Sequence, residues 1–211
     1  MNRQYYINNR LYGMRAYLCG SIENANDGGN GWRDTITPEL EDIGVCVFNP
    51  CKKEDYIDKG FEGEDAHTYR QNLLKEEKYQ EVAKEMKLLR VIDMRMVDLS
   101  DFIIAHINPD IHLTGTYEEL FWANRGKKPI LVVVEQGLEK VPPWLWGTLP
   151  TAHFYPSFNS LLSYLNYVDT NLEDPPHLKR WTFFEYEKMM PKRPPYTQHD
   201  GKKYKMVWEE V

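Results

Sequence analysis

Strand-like and helix-like segments alternate five times along this chain. The alternation predicts an α/β fold: a doubly wound, flavodoxin-like five-stranded parallel sheet flanked by helices, with a C-terminal arm. Two observations carry the prediction. Runs such as "MRAYLCG" (14–20) and "PILVVV" (129–134) are apolar almost throughout, as strands buried on both faces of a parallel sheet are. Between the strands lie segments of helical period with helix-stop signals. The composition agrees with a soluble globular chain: 211 residues, 42% hydrophobic, 27% charged and a net charge of −6. An acidic balance argues against binding a nucleic-acid polymer.

The elements follow in order. "MRAYLCG" is the first strand, and the Asn-, Asp- and Gly-dense "SIENANDGGNG" after it is a loop that allows close backbone approach to a ligand. "WRDTITPELEDIG" reads as a helix stopped by Gly44, and "VCVFNP" (45–50) as the second strand. Residues 51–70 read as a long polar loop, and 72–99 as one long helix. "DFIIAHI" (101–107) is the third strand, followed by the loop "NPDIHLTG" and a helix over 116–125. "PILVVV" is the fourth strand and "VPPWLWGTLP" a loop. "AHFYP" is a short fifth strand, and "SFNSLLSYLNYV" is a last helix with Ser157 as its N-cap. Residues 1–168 thus form one α/β domain. Residues 169–211, rich in Pro, Lys and aromatics, are read as an arm packed on its own domain or on a neighbour. Ligands bind beyond the carboxyl ends of such strands, so three loops are expected to meet at one mouth: 21–31, 51–70 and 108–115.

Several chemistries find no pattern here. Cys19, Cys46 and Cys51 are odd in number and lack metal or disulfide spacing, and Cys19 and Cys46 read as small buried hydrophobes. The six histidines show no metal spacing, and no P-loop or dinucleotide fingerprint is present. No metal or cofactor is expected. No run approaches the ~18 apolar residues of a membrane span, and the first residues do not resemble a signal peptide, so a cytoplasmic protein without a membrane partner is expected.

Two acidic features stand out. Asp93 falls on the apolar stripe of the long helix, four residues after Leu89 and three before Met96. A carboxylate there is either paired with Arg90, Arg95 or another base, or sits at a pocket wall with a shifted pKa. Glu118 and Glu119 open the 116–125 helix. Thr116-x-x-Glu119 has the form of a capping box, which would explain Glu119 structurally and leave Glu118 to the helix dipole. Gly115 and Thr116, like Gly20 and Ser21 after the first strand, offer backbone N–H groups to a phosphate or a sugar hydroxyl.

Three segments together resemble the nucleoside 2-deoxyribosyltransferase superfamily, which includes the deoxynucleoside monophosphate N-glycosidases. They are "YLCGSI" (17–22), "DMRMVDLSDFIIAHI" (93–107) and "GTYEELFWANRGKKPILVV" (115–133), within a match over roughly 14–165. The resemblance implies that Glu119, four residues after Gly115 and directly before Leu120, is the nucleophile. It implies that Asp93 contacts and protonates the nucleobase, and that Tyr17 and Ser21 line the pocket. Many members carry another acid six residues before the nucleophile. Leu113 stands there in this chain, and Asp110 is the nearest substitute. Glu23 stands where the monophosphate glycosidases tend to carry Arg, which favours a free nucleoside over a phosphate, unless Arg33 compensates.

The implied activity is cleavage of the N-glycosidic bond of 2′-deoxynucleosides through a deoxyribosyl-Glu intermediate, with transfer of deoxyribose to another base. The alternatives are hydrolysis of deoxynucleoside monophosphates, a glycohydrolase for a larger nucleotide, and a non-catalytic nucleotide-binding module on the same fold. The implied partners are a nucleoside or nucleotide, a free nucleobase, and a second copy of the chain in a homo-oligomer.

Overall fold

The computed structural model describes residues 10–55, 64–170, 180–181, 196–199 and 204–207. The chain divides into two compact units, Met1–Arg180 and Trp181–Val211. The first unit holds β1 (Arg15–Gly20), α1 (Asn30–Asp42), β2 (Cys46–Phe48), α2 (Glu64–Lys75), α3 (Tyr79–Leu99), β3 (Phe102–His106) and α4 (Thr114–Arg125). It continues with β4 (Ile130–Val133), the short α5 (Pro143–Thr148), β5 (Phe154–Tyr155) and α6 (Phe158–Thr170). The five strands form one sheet in the order β2-β1-β3-β4-β5, every pairing parallel. Helices cover both of its sides. This is the predicted doubly wound, flavodoxin-like α/β fold.

The core follows from the strand sequences. Ala16 to Cys19, Phe102 to Ala105 and Ile130 to Val133 are fully buried on both faces. Only strands covered by helices above and below tolerate such unbroken apolar runs. β1 and β3 lie side by side at the centre, with Tyr17 opposite Ile103 and Gly20 opposite His106. α4 packs against β1, β3 and α3, so the carboxyl end of β1 and one face of α4 enclose a common space.

Several expected boundaries moved. The expected single helix over 72–99 is two helices, α2 and α3, broken at Glu77, which adopts φ 58. The expected loop over 51–70 holds a 3-10 stretch, Pro50–Asp55, and most of α2. The rest of that loop, 56–63, lies outside the described residues. The Pro-Trp loop contains α5. The Gly44 stop is present with φ 79, and Ser157 Oγ accepts the Ser160 N–H at 3.2 Å as the expected N-cap.

The expected arm begins inside α6. Asp169 belongs to that helix, and its carboxylate accepts the Leu11 N–H at 2.7 Å. The second unit contains an antiparallel hairpin, β6 (Tyr196–His199) with β7 (Tyr204–Val207), where no strands were expected. The remainder of the arm, and any role for it in assembly, falls outside the described residues. Among the described residues no helix is long and apolar enough to cross a membrane.

Candidate functional site

A cavity of about 370 Å³ opens at the carboxyl end of β1. Three stretches line it: Gly20–Asn24 after β1, the Met86–Met94 face of α3, and the segment from His112 to Glu119 that enters α4. Two of the three loops expected at the mouth therefore meet there. The loop after β2 contributes indirectly, through Lys53.

Glu119 is held from two sides. α4 begins at Thr114, two residues earlier than expected, with Leu113 as its N-cap and no side-chain capping bond. Glu119 is therefore beyond the first turn, and the predicted Thr116–Glu119 capping box does not form. Instead Glu119 lies three residues after buried Thr116 and four before buried Ala123, on the face of α4 that meets the sheet. Tyr17 Oη donates to its Oε1 at 2.8 Å, and Cys19 Sγ donates to its Oε2 at 3.1 Å. Tyr17 and Cys19 alternate along β1, so both side chains leave the same face of the strand. Glu119 is half-buried and lines the cavity. Burial raises its pKa to about 7, reinforced by the charge of Asp93, while the bonds from Cys19 and Tyr17 pull it down.

Asp93 lines the same cavity from α3. Its partner is Lys53, whose Nζ lies 2.5 Å from Asp93 Oδ1 and whose side chain is 7% exposed. Neither Arg90 nor Arg95 takes that place. Both readings of Asp93 therefore hold, since it is ion-paired and also at the pocket wall. Burial raises its pKa, and Lys53 opposes the rise. The two carboxyls face one cavity, and the charge of Asp93 adds to the rise at Glu119.

Glu118 belongs to the outer wall. The Arg90 guanidinium forks onto its exposed carboxylate from α3, with Nε 2.8 Å from Oε1. That exposed pair contributes little to stability. Arg33 is fully buried and donates to four main-chain carbonyls: Leu18 (3.2 Å), Gly20 (2.9 Å), Ser21 (3.3 Å) and Gly29. Its guanidinium also lies 4.5 Å from the Trp32 ring centroid. The expectation that Arg33 could bind a phosphate fails, because its donors are engaged in shaping the turn after β1. Glu23 is taken by the guanidinium of Arg70, which is itself buried.

Of the other residues expected in the pocket, Gly20, Ser21 and Gly115 line the cavity. Ser21 Oγ is buried, with no hydrogen-bond partner among the described residues. Thr116 is buried beneath the cavity, its carbonyl within 3.5 Å of Cys19 Sγ. Asp110 is exposed and is not part of the lining, so no acid replaces Leu113 at that position.

Sequence reading missed Cys19 and Lys53. Cys19 was within reach, because it sits two residues after Tyr17 in a strand. Lys53 carries no pattern that would reveal it. Cys46, expected to be buried, is exposed.

The turn itself is strained towards glycine. Gly29 has φ 75, and a Cβ there would overlap the Ser21 carbonyl oxygen and the Arg33 guanidinium. Gly29→Ala is expected to destabilise the fold by about 2–4 kcal/mol, read as a lowered denaturation midpoint at unchanged slope.

No family model and no curated protein matches the chain. Among solved structures it is similar to a 2-deoxyribosyltransferase from Bacillus psychrosaccharolyticus. The identity is 18%, the TM-score 0.49, and the match covers 71% of this chain and 91% of that one. It is also similar to the Clostridium botulinum CMP N-glycosidase, with 16% identity, 73% and 98% coverage and a TM-score of 0.43. A Leishmania mexicana 2-deoxyribosyltransferase matches at 16% identity, 73% and 97% coverage and a TM-score of 0.44. Likeness at this level leaves the activity to be argued from the residues of this chain.

Proposed function

We propose that this chain cleaves the N-glycosidic bond of 2′-deoxynucleosides, with Glu119 as nucleophile, and passes the deoxyribose to a second base. One observation carries the proposal. A half-buried carboxylate with a donor on each oxygen faces a strand-end cavity that a second carboxyl, Asp93, also lines. The cavity size falls in the ~300–1,000 Å³ range of small-ligand sites. Ser21 Oγ, buried and without a hydrogen-bond partner among the described residues, supplies a hydroxyl for a substrate polar group.

In the proposed reaction, ionised Glu119 attacks C1′ as the C1′–N bond breaks. The bonding pair leaves with the base nitrogen, which takes a proton at Asp93. The Lys53 ammonium on the same carboxyl supplies that proton through Asp93 and is left as a neutral amine. A nitrogen of a second base then attacks C1′ of the deoxyribosyl ester, its proton returns through Asp93 to Lys53, and the Glu119 carboxylate is freed; water in its place gives hydrolysis. Glu119 must be ionised, so the rate rises as pH passes through about 7.

Charge supports a free nucleoside. Five charged side chains line the cavity: Glu23, Arg90, Asp93, Glu118 and Glu119. Four are acidic, and the cations at the wall, Arg70, Lys53 and Arg90, are ion-paired with Glu23, Asp93 and Glu118. A phosphate would have to compete with those carboxylates for a cation.

Two measurements test the proposal. In the first, the protein is incubated with deoxynucleosides and deoxynucleoside monophosphates, with and without acceptor bases, and the products are separated by chromatography. Base exchange that needs an acceptor supports transfer; free base without an acceptor means hydrolysis. Binding of every substrate with consumption of none means a non-catalytic module. In the second, Asp93→Asn is expected to slow base release by about 10²–10⁴-fold. It should also move the acid limb of the pH profile down, because it removes a charge that raises Glu119.

A further inference from the structure

The bond between Cys19 and Glu119 has a property that the Tyr17 bond lacks. The thiol carries one proton and has two acceptors in reach: Glu119 Oε2 at 3.1 Å and the Thr116 carbonyl oxygen at 3.5 Å. Both acceptors belong to α4, and turning the S–H about Cβ–Sγ carries the proton from one to the other with no heavy atom moving. The Tyr17 phenol, the stronger donor, holds Oε1 at 2.8 Å. Once a carboxylate oxygen is bonded to C1′ it becomes a poor acceptor, and its donor needs another partner.

We infer that Cys19 is a positioning residue whose thiol holds Glu119 Oε2 before reaction and turns to the Thr116 carbonyl as Oε2 bonds to C1′. Oε2 is then the attacking oxygen. This rests on the reading of Glu119 as the nucleophile. As the Oε2–C1′ bond forms, the C1′–N pair leaves with the base, and Oε2, now an ester oxygen, becomes a poor acceptor. Oε1 becomes the ester carbonyl and keeps the Tyr17 bond. When the second nucleophile takes C1′, the electron pair returns to Oε2 and the thiol turns back. Burial and the neighbouring Glu119 charge push the Cys19 thiol well up, so it remains a protonated donor throughout.

The inference predicts an unusual kinetic pattern. A bond made in the ground state and lost in the transition state slows the chemical step while it favours the ionised nucleophile. In Cys19→Ala the Glu119 titration, and with it the acid limb of kcat/KM, is expected to move up by about one pH unit. The plateau kcat above that limb is expected to rise, by about fivefold. Cys19→Ser restores a stronger donor and is expected to move the limb below the wild-type position.

The titration is followed by ¹³C NMR of glutamate-labelled protein, with Glu119→Gln identifying the signal, alongside the pH dependence of turnover. An unmoved Glu119 titration in Cys19→Ala overturns the inference, and so does a plateau kcat lowered tenfold or more. If the Ala variant does not fold, Cys19→Ser carries the test: the stronger hydroxyl donor lowers the titration, and an unchanged titration overturns the inference. The NMR reading needs no turnover, so its failure is distinct from a failure of the substrate panel.

Discussion

Glu119→Gln is expected to lower turnover by three orders of magnitude or more, since an amide is no nucleophile at C1′. The same substitution is expected to stabilise the protein at pH 8. The reason is linkage. Glu119 ionises near 7 in the folded chain against 4.5 ordinarily. Between those values the folded chain holds a proton that the unfolded chain has lost, so stability falls as pH rises. Above about pH 7 the full cost of the buried charge is present, on the order of 3 kcal/mol. Gln has no charge to bury, and its amide oxygen still accepts from Tyr17. Thermal melts should show the variant more stable at pH 8, with the advantage shrinking towards pH 4.5. Equal melting temperatures at pH 8 would show that Glu119 is not a strained group. A capping role would have made this substitution neutral at every pH, and α4 has no capping box.

The second large effect is expected at Arg33. Arg33→Met keeps the length and apolar bulk of the side chain but removes the donors to Leu18, Gly20, Ser21 and Gly29. Buried carbonyls left without partners make the loss severe, about 3–5 kcal/mol in urea denaturation. Activity should fall further than stability alone explains, because those carbonyls belong to the turn that forms one wall of the cavity. It would also remove a positive charge that lowers both Glu119 and Asp93. The acid limb of any surviving activity should therefore move up. A variant that melts within about 1 kcal/mol of wild type would show that the turn does not depend on Arg33.

The legible parts of the sequence were those where burial alone decides the residue. Ile130 to Val133 and Phe102 to Ala105 can hardly be anything but central strands, and right-handed crossovers then leave few orders for the sheet. Asp93 was legible because a carboxylate on an apolar stripe breaks a pattern. α2 was not, for the converse reason. Its buried positions are Ala66, Arg70 and Leu73, and an arginine in the middle of the stripe erases the helical period. The break at Glu77 left no mark either, since a left-handed turn usually advertises itself with Gly or Asn. Glu119 was named by the family resemblance, while local pattern alone pointed to a cap. The actual start of α4 at Thr114 depends on tertiary packing that no local signal records. Lys53 lies on a 3-10 stretch without period, and only the fold brings it to Asp93. The hairpin of the second unit did carry a signal, the Asp-Gly dipeptide at 200–201 between its strands.

β1 raises a problem of alignment. Ala16, Tyr17, Leu18 and Cys19 are all completely buried, so hydrophobicity does not distinguish one face of this strand from the other. A slip by one residue would forfeit little apolar burial, yet it would set Leu18 against the Glu119 carboxylate. Polar contacts must therefore choose the register. Arg15 makes one at the strand's start, bonding Asp101 through its main-chain N–H at 2.8 Å and its guanidinium. Tyr17 and Cys19 make the other. The carboxylate proposed to attack the sugar is thus also an alignment pin for the central strand, and the chain reads its own sheet register partly from the group its chemistry would use.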